Sequence, residues 1–259
     1  MSLWAPVEQE LARWRDSGRE AVLWWRDDDA AEATPELDRL LDLQQVHEVP
    51  LALAVVPAKA TAALAARLGA APGTDLQGID LLQHGYAHTN HAPAADKKKE
   101  ELGAHRPAMI VLGELATGWM ALERLFGRHP LPVLVPPWNR IAPGLVPALP
   151  EIGYRGLSTF GIRKRVSPVS GLLQVNTHID LIDWTARRFA GADALLAVFV
   201  AALSAARTTG EPIGLLSHHL AMDEAAWSFL QSFWATVKGL PDVKIAAAHD
   251  LFASREARA

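Results

Sequence analysis

Short apolar runs recur along the chain with little alternation, and stretches long enough for a helix separate them. Runs of this kind suit strands covered on both faces, so they predict a parallel sheet joined by crossover helices. Strands are expected near Val22 to Trp25, Leu51 to Val56, Ile79 to Leu82, Leu131 to Val135, Gly156 to Thr159, Leu172 to Val175, Ile213 to Leu216 and Val243 to Ala247. Thr34-Pro35 places a capping hydroxyl before a first-turn proline, and Leu37, Leu40 and Leu41 then share one helical face. Gly69 is expected to end the next helix, and Ala92 to Lys99 reads as a loop or helix entry. The fold class predicted is α/β, a closed or nearly closed barrel of about eight parallel strands, formed by one domain over residues 1–259. An open doubly wound sheet would give a similar run pattern. The longest apolar run, Ala194 to Leu203, falls short of the roughly 20 residues of a membrane span and predicts a buried helix.

Polar residues cluster directly after five of these runs. They are Arg26-Asp27-Asp28-Asp29, the segment from His84 to His91, Pro136-Pro137-Trp138-Asn139-Arg140, the segment from Asn176 to Trp184, and Ser217-His218-His219. In a parallel sheet all strand C-termini open on one face, so these clusters should converge there. Seven of the ten histidines follow an apolar run: His84, His88, His91, His178, His218, His219 and His249. Singly, each cluster has a structural explanation. Three aspartates in a row suit a solvated loop, His84 and His88 suit a polar helix start, His218-His219 suit a satisfied core pair, and Trp24, Trp25, Trp138 and Trp184 suit a core. Nothing structural requires carboxylates, imidazoles and tryptophans to gather on one rim, so together they predict a functional site.

Composition narrows the chemistry. Cysteine is absent, which excludes disulfides, thiol catalysis and Cys-metal sites, so any metal must be held by His, Asp or Glu. The formal charge is −4, and the Lys97 to Lys99 cluster lies beside Glu100 and Glu101, so no basic stripe is expected to offer itself to phosphates, and no nucleic-acid partner is expected. Met1 to Asp16 carries charges throughout and lacks an apolar signal-type stretch, so a cytoplasmic location without a membrane span is expected. His84 and His88, at i and i+4, would share one face of a helical turn and could grip one ion.

In this order the clusters resemble the polysaccharide deacetylase family, the NodB-homology metal-dependent de-N-acetylases, over about Val22 to Leu220, and the resemblance implies that family's distorted (β/α) barrel, with seven or eight parallel strands. The matching segments are Asp28-Asp29, His84 with His88, Pro136-Pro137-Trp138, Asp180-Leu181-Ile182-Asp183-Trp184 and Leu216-Ser217-His218. The resemblance implies that Asp29, His84 and His88 bind a divalent metal, with Zn2+ preferred and Co2+ or Ni2+ acceptable. It implies that Asp28 is the general base and that the Trp138 amide holds the developing oxyanion. His218 would be the general acid, oriented by Asp180 or Asp183, and Leu216 and Trp184 would wall the acyl pocket. Tyr86, Asn139 and His219 are further substrate-binding candidates.

One departure stands out. Val135 occupies the position where the family carries an arginine that pairs with the base. Arg26, two residues before Asp28 in an extended segment, shares a face with it and is expected to replace that partner. Two registers remain open, Asp27 and Asp28 as base and ligand, and His219 as the acid. The substrate expected is an N-acetylated sugar on a nucleotide, lipid carrier or short oligosaccharide of surface-glycan assembly. An N-formyl, cyclic imide or ureide hydrolase and a lapsed sugar-binding relative are the competing readings.

Overall fold

A computed structural model describes residues 2–69, 76–96, 98–127 and 129–253, so Lys97 lies outside the described residues. The strands among them are β1 (Ala21–Ala30), β2 (Leu51–Val55), β3 (Ile79–His84), β4 (Pro130–Val135), β5 (Gly156–Leu157), β6 (Leu173–Gln174), β7 (Ile179–Asp180), β8 (Ile182–Asp183), β9 (Arg188–Phe189), β10 (Ile213–Ser217) and β11 (Val243–Ile245). The helices are α1 (Ala5–Asp16), α2 (Pro35–His47), α3 (Ala62–Arg67), α4 (Ala108–Phe126), α5 (Ala192–Thr209), α6 (Glu224–Val237) and α7 (Ala248–Phe252). The Thr34 hydroxyl accepts the Leu37 amide at the start of α2, and Gly69, at φ 70°, follows the end of α3. Ala92 to Asp96 is loop.

All pairings in the main sheet are parallel, in the order β6-β5-β4-β3-β2-β1-β10-β7. The two ends of this order are one continuous stretch of chain. Leu173 pairs with Gly156, Thr177 bridges Phe160, and Asp180 pairs with Leu216. Residues 173–180 therefore join β5 to β10 and curl the sheet into a distorted barrel. The second half of this stretch, β7, was not anticipated, because its sequence is polar and carries no apolar run. The run at Val243 does form a strand, but β11 is short and pairs with the first half of β1 only, while β2 takes the second half. β8 and β9 form a separate antiparallel ladder.

Alternation along β1 divides the molecule. Leu23 and Trp25 point into the layer packed by the helices, whereas Trp24 joins Ala52, Ala54, Leu82, Val133 and Val135 inside the barrel. Phe252 of α7 meets Trp24 edge-on, at 6.3 Å between ring centroids, and fills the end of the barrel nearest the strand N-termini. The opposite end is left to polar side chains. α5 is long and apolar enough to cross a membrane by length and composition. It is not buried all round as the sequence suggested. One face, with Leu195, Leu196, Phe199 and Leu203, packs into the core, and Val198 on another is exposed.

Candidate active site

β1 runs on through its charged residues, past the Trp25 end that its apolar pattern predicted. A strand accommodates Arg26 to Ala30 because successive side chains leave opposite faces, each finding its own polar partners. Asp27 points outward, where it accepts the Ser217 hydroxyl at 2.6 Å and the His219 amide at 3.1 Å and meets His219 Nδ1 at 2.5 Å. Both Asp27 and His219 are buried there, away from the barrel mouth. Burial works against charge on His219, but Asp27 outweighs it and holds the imidazole above its ordinary pKa. This arrangement takes Asp27 out of the base-or-ligand question and removes His219 from the acid and substrate-binding candidates.

Asp28 points inward with Arg26. The guanidinium grips the carboxylate at two atoms, Nε to Oδ1 at 2.8 Å and Nη2 to Oδ2 at 3.0 Å, and both residues are buried. Arg26 also donates to the Ser158 hydroxyl at 2.6 Å and to Asn139 Oδ1 at 2.7 Å. Asn139 is thus engaged in holding Arg26. Nothing in the sequence marks Ser158, which lies inside a strand-like run with no polar cluster directly after it.

Strict alternation would send Asp29 outward beside Asp27. Instead its φ of 74° and a slip in the β1–β2 register between Asp27 and Ala30 turn it toward the same centre as Asp28. Aspartate visits this left-handed region more readily than most residues, which suits it to the position.

His84 ends β3 and lies within hydrogen-bond reach of the Val135 carbonyl through Nδ1, at 3.0 Å. A proton donated there leaves Nε2 as a lone-pair donor. The helical turn expected between His84 and His88 is absent. Gly85 at φ 57° and His88 at φ 52° make a tight loop, which still brings the rings to 5.1 Å. Buried Glu101 holds this loop by accepting the amides of Tyr86, Ala87 and Thr89 at 3.0, 2.8 and 3.2 Å. In sequence Glu101 is one more charge beside Glu100, and nothing marks it. A Cβ on Gly85 would fall 2.1 Å from Glu101 Oε2 and 2.5 Å from Pro137 Cδ. Gly85→Ala is therefore expected to unseat His88 and weaken metal binding at least about tenfold while the barrel stays folded, as titration and circular dichroism would show.

His84 Nε2 and His88 Nε2 each lie 3.2 Å from Asp29 Oδ1. That oxygen is buried and accepts no hydrogen bond, and one ligand atom from each residue falls within 4.8 Å of the others. Burial would raise the Asp29 carboxyl, yet His84, His88 and more distant His218 hold it well below the ordinary range. Burial and the neighbouring His84 lower His88, which favours its neutral, ligating form. His84 is raised, with Asp28 and Asp29 outweighing its burial, so a proton competes for it. An orphaned carboxylate oxygen facing two imidazoles is a donor set that fits a divalent ion.

On the other side stand His218 and Asp180, Nδ1 to Oδ1 at 3.7 Å. Burial raises the Asp180 carboxyl. Trp184 donates to Asp180 Oδ2 at 2.9 Å and sets its ring edge-on to His218 at 4.7 Å. Trp138, strained at φ 54°, lies 4.4 Å from the His88 ring. Trp138 and half-exposed Trp184 thus stand beside His88 and His218, whereas Trp24 and Trp25 are core. Leu216 is buried beside Arg26 in the β1–β10 register, and Tyr86 is half-buried on the His88 loop. Asp183 does not share in this; it accepts the Thr185 and Ala186 amides in an exposed turn. Two further histidines leave the rim. His178 accepts the Gly214 amide near Glu211, and His249 meets Asp80 at the N-terminal end of β3.

At the level of sequence no family model and no curated protein matches the chain. Solved structures do. A protein described as a polysaccharide deacetylase from Mycobacterium smegmatis superposes with a TM-score of 0.69 at 18% identity, covering 93% of this chain and 92% of that one. The fold is that of the polysaccharide deacetylases. A peptidoglycan deacetylase from Bacillus subtilis shares it at TM-score 0.55 and 12% identity, over 93% of each chain. A family 4 acetyl xylan esterase from Clostridium thermocellum, in complex with a cobalt ion, shares it at 0.54 and 16%, over 89% of this chain and 90% of its own. The NodB-like barrel predicted from the motif order is thus the observed one, spanning nearly the whole chain.

Proposed function

We propose that the chain is a metal-dependent hydrolase that removes an N-acetyl or related N-acyl group from an amino sugar of a glycan or glycan precursor. One observation carries this reading. Two adjacent aspartates face one centre, Asp28 clamped by Arg26 and Asp29 left to two imidazoles, with His218 and Asp180 across from them. Asp29, His84 and His88 would hold the metal, and their donor set suits Zn2+ best, with Co2+ or Ni2+ also accommodated. Such an ion, when bound, supplies Lewis acidity and lowers the pKa of water toward about 7.

The residues around it divide the work. Asp28 takes the proton of the attacking water, and Arg26, itself fixed by Ser158 and Asn139, keeps the carboxylate aimed. The Trp138 amide, the first N–H after two prolines, donates to the carbonyl oxygen as charge develops on it. His218 gives a proton to the sugar nitrogen as the C–N bond breaks, releasing the acid and the free amine, while Asp180 supports the imidazolium. Leu216, Tyr86 and Trp184 enclose the acyl group.

Metal-loaded protein is expected to release acetate and an equal amount of free amine from N-acetylglucosamine donors. Formate or a ring-opened product in place of acetate would assign the site to another C–N bond, and no product from any donor by protein with bound metal would refute hydrolysis. His218→Ala should lower the rate on an N-acetyl sugar about a hundredfold yet barely change turnover of nitrophenyl acetate, whose leaving group needs no proton.

A further inference from the structure

The loops after β3, β4, β5 and β6 enclose a groove of about 760 Å³ that no catalytic step uses. It opens from the site itself, since Asn139, which holds Arg26, and the bonded pair Thr159 and Asn176 line it. Farther out the lining is basic. Lys98, Arg140, Arg163, Lys164 and Arg165 face it, with Glu100 as the single carboxylate. Arg163 lies 3.7 Å from Glu211, whereas among the described residues no carboxylate pairs with Lys98, Arg140, Lys164 or Arg165. Among the described residues Arg140 bonds only a neutral group, the Lys99 carbonyl, at 2.9 Å. The whole chain has 29 acidic against 25 basic residues, so this concentration runs against its average; it also corrects the expectation that no basic stripe is offered to phosphates, because the fold gathers cations from separate loops. Phe160, 45% exposed, adds an aromatic face to the same groove.

Four cations without counter-charges among the described residues, lining a groove of ligand size that opens from the acyl site, make a positive surface that suits an anion. Guanidinium groups pair with phosphate oxygens two at a time, and a neutral sugar polymer would leave those charges unanswered. We propose that the groove binds a diphosphate ester carried by the substrate. The sugar deacylated here would then be a single amino sugar attached to a diphosphate, not an interior unit of a neutral polysaccharide. This rests on the de-N-acylation reading and names the class of substrate for it.

Binding and turnover test the two separately. Inorganic diphosphate is titrated calorimetrically into the His84→Ala chain, whose metal centre is disabled, and into the same chain carrying Lys164→Ala and Arg165→Ala. Binding is expected to weaken about tenfold in the second, and to fall as salt approaches 1 M, where screening acts within about 3 Å. Equal binding by both chains, or none by the first, overturns the proposal. Metal-loaded wild type is then assayed on N-acetylglucosamine linked through diphosphate to uridine or to a short prenyl chain, and on the N-acetylglucosamine trimer. At least about tenfold higher kcat/KM for one diphosphate ester, lost in Lys164→Ala/Arg165→Ala, supports the proposal, and the better ester identifies the carrier. Equal turnover of the trimer overturns it while leaving deacylation intact. Salt-sensitive diphosphate binding with no acetate from any donor refutes the reaction and leaves the anion site standing.

Discussion

Arg26→Ala is expected to lower kcat by at least about a hundredfold and to destabilise the protein by about 3–5 kcal/mol, because it strands a buried carboxylate. Arg26 is fully buried and Asp28 is 2% exposed, so water cannot take over the guanidinium's place. Arg26→Lys should recover little. An ammonium cannot reach both Asp28 oxygens, Ser158 and Asn139 at once. The double variant Arg26→Met, Asp28→Leu separates folding from chemistry: stability should return to near wild type, measured by urea unfolding, with activity still lost. Full activity in Arg26→Ala would show that the pair is structural only.

Loss of the metal should cost still more. Chelation, or His84→Ala, is expected to reduce acetate release at least about a thousandfold, as removal of several kcal/mol of charge stabilisation implies. Two readouts do not depend on turnover. Elemental analysis should find about one divalent ion per chain in wild type and almost none in Asp29→Ala or His84→Ala. Adding Zn2+ to the stripped wild type at about a hundred times its dissociation constant should stabilise it by about 2.7 kcal/mol, with no gain in the variants. A wild-type chain that neither retains an ion nor responds to one would refute the centre.

Which parts of this were legible in sequence follows from how each is encoded. Parallel strands buried on two faces leave unbroken apolar runs, so β2, β3, β4 and β10 stood out within a residue or two. β7 did not, because its two paired residues close the barrel through backbone bonds that any sequence can make. Arg26 opposite Asp28 was readable because the period of two in a strand is rigid. The side of the strand chosen by Asp29 was not, since a φ of 74° is set by the register slip against β2 and has no local signature. The histidine pair illustrates a right destination by a wrong route. The expected helical turn is a strained loop pinned by Glu101, a contact between residues 12 to 15 positions apart that no short-range spacing announces. Counting histidines after apolar runs overreached for the same reason: His178, His219 and His249 follow strands but point elsewhere.

The outward bond from Asp27 to Ser217 and His219 brackets His218, and the inward neighbour of Asp27 is Asp28. One peptide unit of β1 thus sets both ends of the gap across which an amide would lie, so its width is built into the sheet like the opening of a fixed spanner. Tolerance for bulkier acyl groups should therefore respond to trimming the walls, Leu216 on β10 and Tyr86 and Trp184 on the loops, while the spacing between Asp28 and His218 stays as the sheet sets it.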